Sequence, residues 1–130
     1  MKQFLLGVIL ALGVAAPGFA AEDLIGDWRT AKDDNGNSGL VRVTTCGNTL
    51  CGTLIKAFDA SGAEMQSDNI GRKIIWDTVA QGGGRFKGRL YSPDRDKEYR
   101  SKLVLTGNSL SVSGCVLVAC REGGVWTRAD

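Results

Sequence analysis

The sequence predicts an all-β protein: a single antiparallel up-and-down β-barrel of about eight strands. Residues 85–116 contain three runs in which apolar and polar side chains alternate with a period of two, as in strands with one buried face. Polar turns at residues 92–94 and 106–109 join these runs, and such short connections make neighbouring strands antiparallel. No long stretch has the period of an amphipathic helix. Closing the sheet into a barrel removes its exposed edges.

The three runs supply three consecutive strands of a meander. Pro93 cannot lie inside a central strand because it lacks an amide donor, and Gly107 and Asn108 tolerate a positive φ, so both connections are turns. One face of the meander is formed by Phe86, Gly88, Leu90, Tyr99, Ser101, Leu103, Leu105, Leu110, Val112 and Gly114.

Shorter patterns place the other elements. The segments 31–38 and 59–69 are polar and aperiodic and are predicted to be loops, and residues 81–84 are predicted to turn into the meander. Further strands are expected near residues 24–30, 40–45, 50–58, 70–76 and 125–128.

Residues 1–20 have the pattern of a signal peptide. Lys2 precedes an apolar stretch at residues 4–16, and small residues favour cleavage after Ala20. We therefore expect a periplasmic or secreted domain at residues 21–130, with no membrane span after the leader is removed. The formal net charge of +2 includes Lys2, so this domain is nearly neutral, which argues against a nucleic-acid partner.

Four cysteines form two units with the same spacing. They permit three pairings, of which we favour Cys46–Cys51 and Cys115–Cys120, since each would close a turn between adjacent strands. A rival pairing would join the two units across the fold. The spacing departs from common zinc motifs, and an oxidising compartment disfavours thiolate ligands, so no metal is expected.

Several segments, taken together, resemble a family of small secreted bacterial proteins catalogued as domain of unknown function 2147. The resemblance covers nearly all of the chain after the leader, and it implies a lipocalin- or avidin-like barrel exported to the periplasm, with no implied activity. The chain departs from the family pattern at residues 121–125, where a Thr-Gln-Thr-like run is expected. The matching segments are residues 26–30, 46–47, 50–52, 88–93, 97–99, 110–115 and 126–128.

A second resemblance concerns Gly26 and Trp28, which are similar to the G-x-W of lipocalins. In that superfamily the Trp plugs one end of the barrel, and an Arg from a late strand packs over it. The resemblance implies that Arg128 packs on Trp28 through a cation–π contact.

The chain offers little for catalysis. It contains no His, which removes the commonest general base and metal ligand. Paired cysteines leave no thiol nucleophile. Asp94, Asp96 and Glu98 lie beside Arg95 and Lys97, as expected of a solvated, charge-paired turn. We therefore predict a non-enzyme without catalytic residues, metal or cofactor.

An eight-stranded barrel holds either packed side chains or one small ligand, and roughly 110 residues favour a packed or narrow interior. We predict binding of a small apolar or amphiphilic ligand; an inward Arg would need an anionic group such as a carboxylate. The alternative is an interaction module, either protease-inhibitor-like or an envelope-assembly partner, working through residues 21–23 or 59–69. Candidate ligand contacts are Trp28, Trp76, Tyr91, Tyr99, Arg100, Trp126 and Arg128.

Overall fold

The computed structural model describes residues 20–130, so the predicted leader lies outside the described residues except for Ala20. A short 3-10 helix, Ala21–Leu24, precedes nine strands. No helix within residues 20–130 is long and apolar enough to cross a membrane. The strands are β1 Gly26–Arg29, β2 Ser38–Cys46, β3 Thr49–Phe58, β4 Glu64–Met65, β5 Lys73–Gly82, β6 Arg85–Ser92, β7 Lys97–Thr106, β8 Ser109–Val116 and β9 Ala119–Arg128.

Eight of these strands close an antiparallel barrel, which confirms the predicted architecture. Following the chain, β1, β2, β3, β5, β6, β7, β8 and β9 each pair with the next, and β9 returns to pair with β1. Strand β4 pairs only with the end of β3. The barrel is closed because β1 bridges β2 and β9, so no long edge is left unpaired.

The meander is confirmed, whereas three other elements differ from the predicted ones. Strand β4 lies in a segment predicted as loop, because the Asp59 carboxylate accepts hydrogen bonds from the amides of Ser61 and Ala63 and turns the chain back onto β3. Strand β5 spans Lys73–Gly82, whereas a strand at residues 70–76 was predicted. Its second half was not predicted because two register shifts interrupt the alternation of inward and outward residues. Strand β9 begins at Ala119, although glycines and charges at residues 121–124 obscure its pattern.

Antiparallel order sorts the connections into two ends. The closed end carries the 3-10 helix and two-residue turns at residues 47–48, 83–84 and 107–108. The mouth carries the connections after β1, β3, β6 and β8.

Both disulfides are local, as favoured from the sequence. Cys46–Cys51 links β2 to β3 at the closed end, and Cys115–Cys120 links β8 to β9 at the mouth.

The closed half of the barrel is filled by large side chains, and the inward face predicted for the meander contributes half of them. Ser101 is also buried there, and its hydroxyl has no hydrogen-bond partner among the described residues. The packed group comprises Leu24, Trp28, Val43, Leu50, Phe86, Leu103, Leu105 and Leu110.

Candidate ligand-binding site

The mouth half of the barrel encloses a cavity of about 780 Å³. The expected packed interior therefore holds for only half of the barrel. The reason is the size of the inward residues: Gly39, Ala57 and Gly114 line the cavity, where the closed half carries residues such as Phe86. The deep wall is apolar and is formed by Val41, Leu54, Ile75, Leu90, Val112 and Trp126.

Two tyrosines join Trp126 in the cavity lining. Tyr99 packs against Gly114, and a Cβ placed there would meet the Tyr99 ring carbon Cγ at 3.3 Å. Gly114 thus leaves the space in which the ring lies. Tyr91 lies near the mouth, where its hydroxyl donates to the Asp96 carboxylate at 2.7 Å. Of the seven predicted ligand contacts, the structure brings Tyr91, Tyr99 and Trp126 to the cavity.

The Tyr91 ring is also covered from outside. The Arg72 guanidinium lies 3.5 Å from the ring centroid, and this explains why Tyr91 is only 6% exposed although strand alternation places it opposite Leu90. The hydrogen bond to Asp96 raises the pKa of Tyr91, so its phenol remains a neutral donor at ordinary pH.

The rim of the cavity carries both signs of charge. Asp94 is the most perturbed group there: partial burial raises its pKa, and the carboxylates of Asp33 and Asp34, from the connection after β1, raise it further. These loops meet only when the barrel closes, since they are about sixty residues apart in the chain. The charged rim residues are Lys32, Asp33, Asp94, Arg95, Arg121 and Glu122.

Trp28 and Arg128 lie at the closed end rather than in the cavity. The indole of fully buried Trp28 donates to the Leu24 carbonyl at 2.9 Å, and the Arg128 guanidinium lies 4.2 Å from the Trp28 ring centroid. The same guanidinium donates to the carbonyls of Ile25 at 3.0 Å and Asp23 at 2.5 Å. The cation–π contact implied by the lipocalin resemblance is present.

Trp76 and Arg100 do not line the cavity, and Trp76 is half-buried and packs against the core. Trp76 shares a shallow depression with Arg72, and Arg100 is exposed and donates to the Leu117 carbonyl. For Arg100, strand alternation carries this signal in the sequence, because Arg100 follows the inward Tyr99. For Trp76 it does not, because Ile74 and Ile75 are both buried and a register shift begins at Trp76. The seven candidate ligand contacts were chosen because they are aromatic or basic, and strand alternation was not considered.

Sequence reasoning missed the aliphatic wall and the charged rim. The wall has a sequence signal: Gly39, Ala57 and Gly114 are small residues near the mouth ends of three strands. The rim has none, since it forms where distant loops converge.

The two segments named as alternative interaction surfaces lie at opposite ends of the barrel. Residues 21–23 form the 3-10 helix, whose Asp23 carbonyl binds Arg128. The segment 59–69 forms part of the rim through Met65, Ser67 and Asn69. Among residues 20–130, no three His, Cys, Asp or Glu side chains are grouped to hold a metal ion.

Comparisons with known proteins agree on family and fold. Residues 26–128 match the model of the family described as "Uncharacterized protein conserved in bacteria (DUF2147)". No curated protein matches the sequence. One similar solved structure is described as "Protein HP1028 from the human pathogen Helicobacter pylori belongs to the lipocalin family". The two chains share 17% identity at a TM-score of 0.63, over 82% of this chain and 83% of that one. This similarity shows a lipocalin-like barrel.

Proposed function

We propose, from the premise that the chain belongs to the bacterial DUF2147 family, that its barrel binds one small apolar or amphiphilic ligand without catalysing a reaction. The cavity is the observation that supports this proposal. Its volume of about 780 Å³ lies within the range of small-molecule sites. Its deep wall is aliphatic and aromatic, so an apolar group gains free energy by leaving water there.

The charged rim favours an amphiphile over a wholly apolar ligand. An acyl or aromatic tail would contact Leu54, Ile75 and Val112, while a polar head would stay at the rim near Arg95 and Arg121. A carboxylate head is a candidate at Arg95 and Arg121, because guanidinium groups bind carboxylates with paired hydrogen bonds, and the acidic rim residues Asp33, Asp94 and Glu122 would confine it to the arginines.

Filling the cavity tests the proposal. Ala57→Trp adds a large side chain to the cavity wall, and we expect it to weaken binding of a dansyl-labelled fatty acid by about tenfold or more. Fluorescence titration measures this affinity. Val79→Trp, at an exposed position on the outside of β5, is the matched control and should bind like the wild type.

Two results would contradict the proposal. One is an Ala57→Trp variant that folds and binds the fatty acid as well as the wild type. The other is a wild-type protein that binds no apolar probe and, in native mass spectrometry after gentle purification, carries no small molecule.

Export to the periplasm or the medium is part of the same proposal. Its support is the pair of local disulfides together with the leader pattern, since disulfides persist in oxidising compartments. Fractionation of cells expressing the full chain should recover the protein outside the cytoplasm, shortened at its N-terminus.

A further inference from the structure

The β8–β9 hairpin ends in an exposed aliphatic tip beside the cavity mouth. Val116, Leu117 and Val118 are 61%, 79% and 99% exposed, which is unusual for three consecutive aliphatic residues. The Cys115–Cys120 disulfide crosses the hairpin immediately below this tip and holds it together. Val116 also lines the cavity, so the tip and the mouth form one continuous surface.

The turn at the tip also differs in sequence from the other two-residue turns of the barrel. At the closed end, the two-residue turns Gly47-Asn48 and Gly107-Asn108 begin with a glycine at φ values of 63° and 60°. At the mouth, Leu117 begins the fourth two-residue turn at φ 56°, a conformation that costs free energy for a residue with a Cβ. The mouth hairpin therefore carries both strain and exposed apolar surface, and such exceptions are typical of functional positions.

We propose that the tip, residues 116–118, inserts into the surface of a phospholipid bilayer and holds the cavity mouth against it. This inference rests on the proposed function, since it supplies a route by which an amphiphile passes between bilayer and cavity without crossing water. The tip fits the apolar layer beneath lipid headgroups, where side chains gain free energy by leaving water.

Size and charge favour a bilayer over a protein partner. A stable protein interface buries about 800 Å² on each side, far more than three side chains provide. Exposed Arg100 donates to the Leu117 carbonyl, so its guanidinium lies beside the tip, from where a long side chain can extend to lipid phosphates when the tip is inserted. The domain is nearly neutral overall, so the aliphatic tip provides the main attraction.

The test replaces the Leu117-Val118 turn at the mouth with the Gly-Asn sequence found in two turns of the closed end. The double substitution Leu117→Gly with Val118→Asn removes the two most exposed aliphatic side chains of the tip and places a glycine at the position with positive φ. We expect it to reduce binding to vesicles of phosphatidylethanolamine and phosphatidylglycerol by about tenfold or more in co-sedimentation, with a melting temperature unchanged or higher. Val79→Asn, which removes an exposed aliphatic side chain from the barrel wall, should leave vesicle binding unchanged.

The inference is overturned if the wild type stays in solution with these vesicles, or if the double variant binds them equally well. It is also overturned if sedimentation velocity shows a dimer that the double variant dissolves, because the tip then contacts a second copy. Fatty-acid binding without vesicles separates the two proposals. A double variant that binds the probe normally but leaves the vesicles supports docking, whereas probe binding absent from both proteins refutes only the cavity function.

Discussion

Arg128, on the last strand, is linked to the 3-10 helix and the first strand at the closed end of the barrel. Its guanidinium stacks on Trp28 and donates to carbonyls of Asp23 and Ile25, more than a hundred residues away in the sequence. Arginine suits this position because its planar group stacks and donates in fixed directions at once. The guanidinium N–H groups of Arg128 therefore donate to backbone carbonyls of the protein and not to a ligand in the cavity.

Arg128→Lys should lower the free energy of unfolding by about 1–3 kcal/mol, because an ammonium keeps the charge but cannot stack and reach both carbonyls. Urea denaturation measures the change. Arg85→Lys, at an exposed strand position, should alter stability by less than about 0.5 kcal/mol. Fatty-acid affinity should be unchanged, since Arg128 does not line the cavity; a loss of affinity at normal stability would restore its predicted role as a ligand contact.

For single residues, the sequence predicted which side chains contact each other better than it predicted which side chains line the cavity. The Trp28–Arg128 contact followed from the lipocalin resemblance, and the disulfides followed from cysteine spacing. Arg100 was selected by chemical type, whereas strand alternation decides which side chains enter a barrel. Trp76 lies at a register shift, where alternation alone does not decide.

Among the elements, β5 pairs irregularly with both of its neighbours, and its pairing with β6 contains two register shifts. A register shift between Trp76 and Val79 leaves backbone carbonyls directed at Gly88 on β6. Asp77, inside the shift, has a φ of 51°. Extra residues of this kind bend a strand and increase its twist, which a small closed barrel requires.

Gly88→Ala should destabilise the protein by about 1–3 kcal/mol, because its Cβ would lie 2.6 Å from the carbonyl oxygens of Trp76 and Asp77. Thermal unfolding monitored by circular dichroism measures the loss. Gly123→Ala is the matched control: its Cβ would meet nothing closer than the Val112 carbonyl oxygen at 3.7 Å, so stability should be equal or slightly higher. Equal losses from both substitutions would show that close approach at the bulge is not the cause.

Elements with regular alternation could be predicted, and irregular ones could not. Strands β6, β7 and β8 were predicted closely because each pairs without a shift inside the meander. The extent of β5 was missed because bulges change which residues face inward, and β4 was missed because hydrogen bonds from backbone amides to the Asp59 carboxylate create it. Strands β4 and β5 both depend on contacts between residues that the spacing of apolar residues in the sequence does not reveal.

Across the whole molecule, the barrel divides into a packed half and a hollow half. Composition and length could not predict this division, because it depends on which inward positions carry glycine or alanine after closure. The packed half supplies the rigid base that fixes the walls of the cavity.

Because of this division, a Leu→Ala substitution should lower the free energy of unfolding more in the packed half than in the hollow half. Leu103→Ala removes a fully buried side chain from the packed half, where neighbours surround the space left behind, and we expect a cost of about 3–5 kcal/mol. Leu54→Ala, at the cavity wall, enlarges a space that already exists, so only the transfer free energy of the lost methyl groups remains, about 2 kcal/mol or less. Urea unfolding of the two variants provides the comparison, and each is the control for the other. Equal costs would mean that the cavity half is packed as tightly as the base, and they would remove the observation on which ligand binding is proposed.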